Sequence, residues 1–339
     1  MRFLLLFFLI TTCLLPGYGK CLADDKLYVS VWAEYLPSWV FKEFSEESGI
    51  KVVPQFYAHR NSGYTQLLAA MSQTDLALTC QEHLDMLKMR GSIEPIDFSK
   101  LRNIRHLQLA DLPEQISKEF THAVPFDWHL LGFLVNRDLV DPELVKSCAD
   151  LWNPMVSGKV YLPDESRILV SVALLSLGYS ANSGDAQQLK QAGDRLKQLL
   201  PLADAVSNYG MIDAITRGST AVAVVWNGMP SGLNLAELSN LVFVLPQDTP
   251  LLLVESWVIP ANAANREAAY AFIDFLMRPD IANRISHENG YPTINQAATL
   301  PHAIDTNVLL NPPPTLLRRA ELEHYVPAIS DLTISAVQE

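Results

Sequence analysis

Leu27, Val29 and Val31 alternate with Tyr28, Ser30 and Trp32, a period of two that predicts a strand with one buried face. From Ser38 to Ser48 the period lengthens. Val40, Phe41 and Phe44 fall on one side of a helix, and Gly49 stands where a left-handed C-cap belongs. Lys51 to Phe56 reads as a second strand, Ser62 to Met71 as a second helix and Asp75 to Thr79 as a third strand. Strands alternating with helices of this length predict an α/β domain with a mainly parallel sheet. Ligands of such sheets gather at the carboxyl ends of the strands, and Trp32 and Thr79 fall at those ends.

After a loop read over residues 121–126, a second unit begins near Asp127 and Trp128. Leu130 to Asn136, Lys159 to Leu162, Thr220 to Val225 and Leu241 to Leu245 read as strands, the last stopped by Pro246. Arg167 to Leu177 reads as a buried helix. Asp185 to Leu200 reads as an amphipathic one, with Leu189, Ala192, Leu196 and Leu199 on its apolar side. The apolar run from Leu251 returns the chain to the first unit and carries Glu255 and Trp257 near its end, and the last helical segment is expected on the second unit. With no repeat and no low-complexity linker, the pattern predicts two α/β lobes joined by strand crossings, with a cleft between them.

The first residues change the picture of where this chain works. Arg2, an apolar run broken by two threonines and Pro16, and a Cys21-Leu22-Ala23 end read as a signal peptide over residues 1–23. The run is short for a membrane span of about 20 residues. Net charge is −12, and loss of Arg2 and Lys20 makes the mature chain two units more negative. An acidic surface excludes nucleic acid and anionic membrane as partners and attracts cations. Cys80 and Cys148 are the two cysteines of the mature part, and one disulfide or two thiols both stand open. The length predicts two domains.

No G-x-S-x-G elbow, H-E-x-x-H helix or P-loop is present, so no enzyme, catalytic residue or cofactor is expected. Cys80-Gln81-Glu82-His83 is a C-x-x-H pair without a second pair, too little to predict a metal site.

Six blocks, in order, carry a resemblance: Val31-Trp32-Ala33-Glu34-Tyr35-Leu36-Pro37, Ala149-Asp150-Leu151-Trp152, Leu162-Pro163-Asp164-Glu165-Ser166-Arg167, Val225-Trp226-Asn227-Gly228, Ile259-Pro260-Ala261-Asn262-Ala263 and Gly290-Tyr291-Pro292-Thr293. Across the mature chain they resemble the bacterial periplasmic spermidine/putrescine-binding proteins. The resemblance implies a two-lobe periplasmic binding protein fold of type II-like form. Lobe 1 is then residues 24–126 with 252–297, and lobe 2 is residues 127–251 with 298–339. It implies a small organic cation, a polyamine, as ligand, and residence in the periplasm. As membrane partner it implies either the permease of an ABC transporter, or a signalling receptor of the cyclic-di-GMP and biofilm type for which the protein would be a sensor subunit. The implied ligand-binding residues are Trp32, Glu34, Tyr35, Thr79, Gln81, Glu165, Arg167, Trp226, Glu255, Tyr291 and Glu323. In such sites carboxylates meet the ammonium groups and aromatic faces flank the methylene chain.

Three departures from the family pattern stand out. The stretch Thr79-Cys80-Gln81-Glu82 stands where a tyrosine is common near the hydroxyl after the third strand. Leu253 stands for a tryptophan two residues before the central acid, and Ile168 for an acid beside Arg167. Part of the aromatic cage and one negative charge are therefore expected to be missing. Glu82 and Asp127 are candidates to restore acidity, and Trp39, Trp128 and Trp152 are expected to be structural.

Overall fold

A computed structural model describes residues 26–33, 35–57, 60–107, 121–156, 158–233, 239–295, 297–298 and 319–329. The expected signal peptide and most of residues 298–339 lie outside them. The strands are β1 (Lys26–Trp32), β2 (Lys51–Tyr57), β3 (Leu76–Cys80), β4 (Val124–Asn136), β5 (Val160–Leu162), β6 (Ala205–Val206), β7 (Val222–Trp226), β8 (Leu241–Val244), β9 (Leu251–Val258) and β10 (Glu321–Leu322). They lie in the order β2-β1-β3-β9-β4-β7-β5-β6, with β8 also on β4 and β10 also on β9.

The first α/β unit follows the sequence reading closely. Helix α1 (Ser38–Ser48) buries Val40 and Phe44, one turn apart, and ends on Gly49 at φ 75°. Helix α2 is Arg60–Ala70 and α3 is Gln81–Met89. β1 pairs in parallel with β2 and β3. On this side the core gathers Leu27, Val31, Phe44, Trp257 and Phe272 with α7 (Arg266–Leu276) and α8 (Pro279–Asn289). A second core gathers Phe133, Val160, Leu169, Leu196 and Val224 around α4 (Ser166–Ser176) and α5 (Ala186–Leu199). Asp185 caps α5 by accepting from the amides of Gln187 and Gln188. The short α6 (Met211–Thr216) packs beside β4 and β7. Ile329, at the end of the described chain, is buried in the second core.

One expectation needs correction. Residues 124–126 are not loop but the start of β4, which runs thirteen residues with every one buried. The strand was hidden because it is covered on both faces, so no alternation marks it. The parallel pairing expected of the first unit holds for β1 with β2 and β3, and the sheet as a whole is mixed. The outer pairs are parallel, but β9 runs antiparallel to β3 and to β4, and β4 antiparallel to β7 and β8. β4 spends Val124 to Leu130 on β9, with a register shift between Pro125 and Asp127, and Leu131 to Asn136 on β7 and β8. One continuous strand thus passes from the first core to the second.

Candidate functional site

Where the strands cross, a cavity of about 240 Å³ is lined by Trp32, Tyr35, His129, Glu165, Trp226, Leu253, Glu255 and Tyr291. Each wall has a local cause. Trp32 ends β1, and its indole stands edge-on to Tyr57 with ring centres 4.2 Å apart. Gly63 on α2 makes room for it, since a Cβ there would lie 2.7 Å from the indole. The indole Nε1 donates to Glu255 Oε2 at 3.0 Å, which fixes one carboxylate oxygen from a strand far away in sequence.

Tyr291 follows Gly290, the left-handed cap that ends α8 at φ 75°. Its amide donates to Asn289 Oδ1 at 3.0 Å. The loop after it lies along β4, where Trp128 donates to the Pro292 carbonyl and Ile294 to that of Phe126. So seated, Tyr291 stacks on Tyr35 at 5.6 Å and 17° and meets the His129 ring at 4.1 Å. Glu165 precedes α4 and Trp226 ends β7, so the opposite wall comes from the second core. Asn227 ties that end of β7 to β4 through its Oδ1, which accepts from the Leu130 amide at 3.0 Å.

Behind Tyr35 lies a polar cluster. Tyr35 Oη is 2.7 Å from both oxygens of Asp127 and 2.9 Å from His129 Nε2, which is itself 3.1 Å from Asp127 Oδ1. Asp127 faces Glu255 across the β4–β9 ladder. The phenols register this negative surround. Burial, and then the carboxylates Asp127 and Glu255, push Tyr35 well above the ordinary tyrosine range. Burial with Asp127, Glu255 and Glu165 does the same to Tyr291. Among the described residues lining the cavity there is no lysine or arginine.

Of the implied ligand-binding residues, Trp32, Tyr35, Glu165, Trp226, Glu255 and Tyr291 meet in this cavity, and Leu253 fills the wall where an aromatic was missed. Glu34 lies outside the described residues. The other four do not line it. Thr79 is fully buried in β3, and its hydroxyl takes no hydrogen-bond partner among the described residues. Gln81 donates to Asp85 Oδ1 at 2.9 Å, and Asp85 Oδ2 in turn holds His324 Nδ1 and the Tyr325 amide.

Arg167 is buried. It donates to Ser171, the Ala181 carbonyl, Asn182 and the His324 carbonyl, and its Nε lies 3.6 Å from Glu323 Oε1. Glu323 is therefore engaged by a cation of the protein itself. Trp257, read from the sequence as one of the aromatics at the strand end, packs in the first core between Phe126 and Phe272. It shares the strand face of Leu253 and Glu255 but lies farther along β9, where that face is covered by the first core.

Trp39 stacks under Arg284, Trp152 under Arg195, and Trp128 is buried beside Leu130 and Val254. Cys80 and Cys148 are both buried and are not joined in a disulfide. No group of three or more histidine, cysteine or carboxylate side chains able to hold a metal occurs among the described residues. No helix among them is long and apolar enough to cross a membrane. His129 was not anticipated, and Asp127 only as a source of acidity. The signal for both was two polar residues at i and i+2 inside an otherwise apolar run.

This arrangement has known counterparts. The family model for bacterial extracellular solute-binding protein matches residues 39–312. The spermidine/putrescine-binding periplasmic protein of Escherichia coli is 32% identical over 325 residues, covering 93% of this chain and 92% of that protein. The putrescine/cadaverine-binding protein of Pseudomonas aeruginosa is 28% identical over 307 residues, covering 86% and 85%. Among solved structures, the spermidine/putrescine ABC transporter substrate-binding protein of Streptococcus pneumoniae, in complex with calcium and HEPES, aligns with a TM-score of 0.77. It is 28% identical and covers 92% of this chain and 98% of that one. Blocks at the ends of β1, β7 and α8 build one cavity, and the likeness runs nearly end to end. The chain belongs to the bacterial extracellular solute-binding proteins, in the family of the spermidine/putrescine-binding periplasmic proteins.

Proposed function

We propose that this protein is a periplasmic solute-binding protein that captures a polyamine of the spermidine, norspermidine and putrescine class and delivers it to an ABC transporter. The observation that carries this reading is the meeting of Glu165 and Glu255, from opposite walls, in a cavity faced by Trp32, Tyr35, Trp226 and Tyr291. Carboxylates select ammonium groups, and aromatic faces attract the same cation by about 0.5–2 kcal/mol each, depending on desolvation. A neutral sugar would leave both carboxylates without a charge partner, and an anion would be repelled.

In this reading residues 24–126 with 252–297 form one lobe and residues 127–251 with 298–339 the other. Closure over the ligand makes the shape that the membrane permease recognises. Trp32, Tyr35, Glu165, Trp226, Glu255 and Tyr291 touch the ligand. Arg167, Gln81 and Glu323 brace the C-terminal segment against both halves. Loss of the aromatic at Leu253 and of the acid at Ile168 weakens the grip on the far end of a long amine, so a shorter amine is expected to lose less affinity than a longer one.

Titration calorimetry of the purified protein against putrescine, cadaverine, norspermidine, spermidine, amino acids and sugars tests the reading. Binding confined to the amines, at about micromolar strength (roughly −8 kcal/mol), is expected. Binding of a sugar or an acidic amino acid, with none of any amine, would refute it.

A further inference from the structure

One group in the cavity wall has no part in that account. His129 is 4% exposed and stands on β4 among the rings of Tyr291, Trp226 and Tyr35. Tyr35 has one hydroxyl proton to give, and both oxygens of Asp127 lie 2.7 Å away to take it. A bare lone pair on His129 Nε2 would then face Asp127 Oδ1 across 3.1 Å, acceptor against acceptor. Nε2 therefore carries hydrogen, and the charge of the ring is decided at Nδ1. Among the described residues Nδ1 takes no hydrogen-bond partner.

The titratable groups around this ring come from every element packed on it. Asp127 lies on its own strand, Glu255 on β9, Glu165 before α4, Tyr35 after β1 and Tyr291 after α8. All the charged ones are anionic. Among the described residues lining the cavity, an imidazolium is thus the one cation it can make for itself, and an arriving ammonium meets two of the same carboxylates, Glu165 and Glu255, at the wall.

We propose that His129 is a ligand-contacting residue that exchanges a proton for the amine: the bound amine meets a neutral imidazole, and protonation of Nδ1 repels it. This rests on the polyamine reading above. Binding then releases up to one proton, and affinity falls on acidification by up to about tenfold per pH unit.

The test is calorimetry of the whole mature protein with putrescine and with spermidine between about pH 8 and about pH 5.5, the range histidines titrate in. Two buffers of different ionisation heat report the proton. The wild type is expected to lose affinity with acid and to release protons. His129→Gln keeps an amide N–H for the Tyr35–Asp127 pair but has no titrating nitrogen, and is expected to flatten the profile and abolish the release. Amine binding by the wild type that ignores pH would overturn the proposal, as would a His129→Gln variant that keeps the same slope and release. No amine binding at any pH would overturn the polyamine reading, and this proposal with it.

Discussion

Gly228 is the position where a single added carbon tests the geometry most directly. Its backbone, at φ −79° and ψ −22°, is open to any residue, so only space opposes a side chain there. A Cβ would stand 2.0 Å from Tyr291 Cδ1, 2.2 Å from Cε1 and 2.8 Å from Cγ. Carbon atoms in contact prefer about 3.5–4.0 Å, so the ring would have to retreat by about 1.5 Å. Behind it lie His129 at 4.1 Å and the stacked Tyr35, and its amide is tied to Asn289. Overpacking of this kind costs about 1–3 kcal/mol. Gly228 follows β7 on the second core, whereas Tyr291 follows α8 on the first, so the clash falls on the arrangement that brings both cavity walls together. Most of the cost is therefore expected in binding, as a rise of about 5- to 150-fold in the Kd for spermidine or putrescine. Titration calorimetry of Gly228→Ala measures it, with thermal unfolding of the free protein as companion. Unchanged Kd and unchanged Tm would refute the claim that Gly228 pins the ring, and an unchanged Kd with a lowered Tm would move the cost from the site to the fold.

Glu255→Gln keeps an oxygen for Trp32 Nε1 but removes the charge. It is expected to cost an amine ligand about 2–5 kcal/mol in calorimetry while free-protein Tm hardly moves, and wild-type affinity in that variant would sink the carboxylate assignment. Arg167→Met leaves the fully buried Glu323 without its cation and should lower stability in urea by about 3–5 kcal/mol, partly restored by adding Glu323→Gln. Equal destabilisation with and without the second change would contradict the pairing. At high pH the sign follows from the buried phenols. Tyr35 and Tyr57 are held above the ordinary value of 10.0, so the unfolded chain gives up those protons first. The stability they contribute is whole below pH 10 and is lost as pH rises past it toward their folded-state values. Phenolate absorbance is expected to show these tyrosines ionising only with unfolding, and simple titration near pH 10 in the folded protein would count against their burial.

Much of the scaffold was readable because its elements are amphipathic. Val40 and Phe44 with the Gly49 cap announce α1, and Leu189, Ala192 and Leu196 announce α5. β4 was not readable at its start, because a strand buried on both faces has no period to detect. The site residues at strand and helix ends (Trp32, Trp226, Tyr291) were legible from motifs whose spacing repeats in the family. Where a motif residue faces another part of the chain, the motif misleads. Arg167, within one such block, spends its charge on Glu323, and Trp257, on the same strand face as Glu255, is covered farther along by the first core. The Tyr35–Asp127–His129 cluster depends on two distant segments converging, and local sequence carries no sign of that convergence.

Because β4 belongs to the ladder with β9 over its first half and to the ladders with β7 and β8 over its second, the molecule cannot be divided at its waist. A fragment that stopped or started near residue 127 would strip one ladder of its centre and offer a raw row of amides and carbonyls to any neighbouring chain, an invitation to precipitate. Anyone threading a fluorescent module into this protein should insert it instead at an exposed turn such as Gly49, which has open space around it and interrupts no strand.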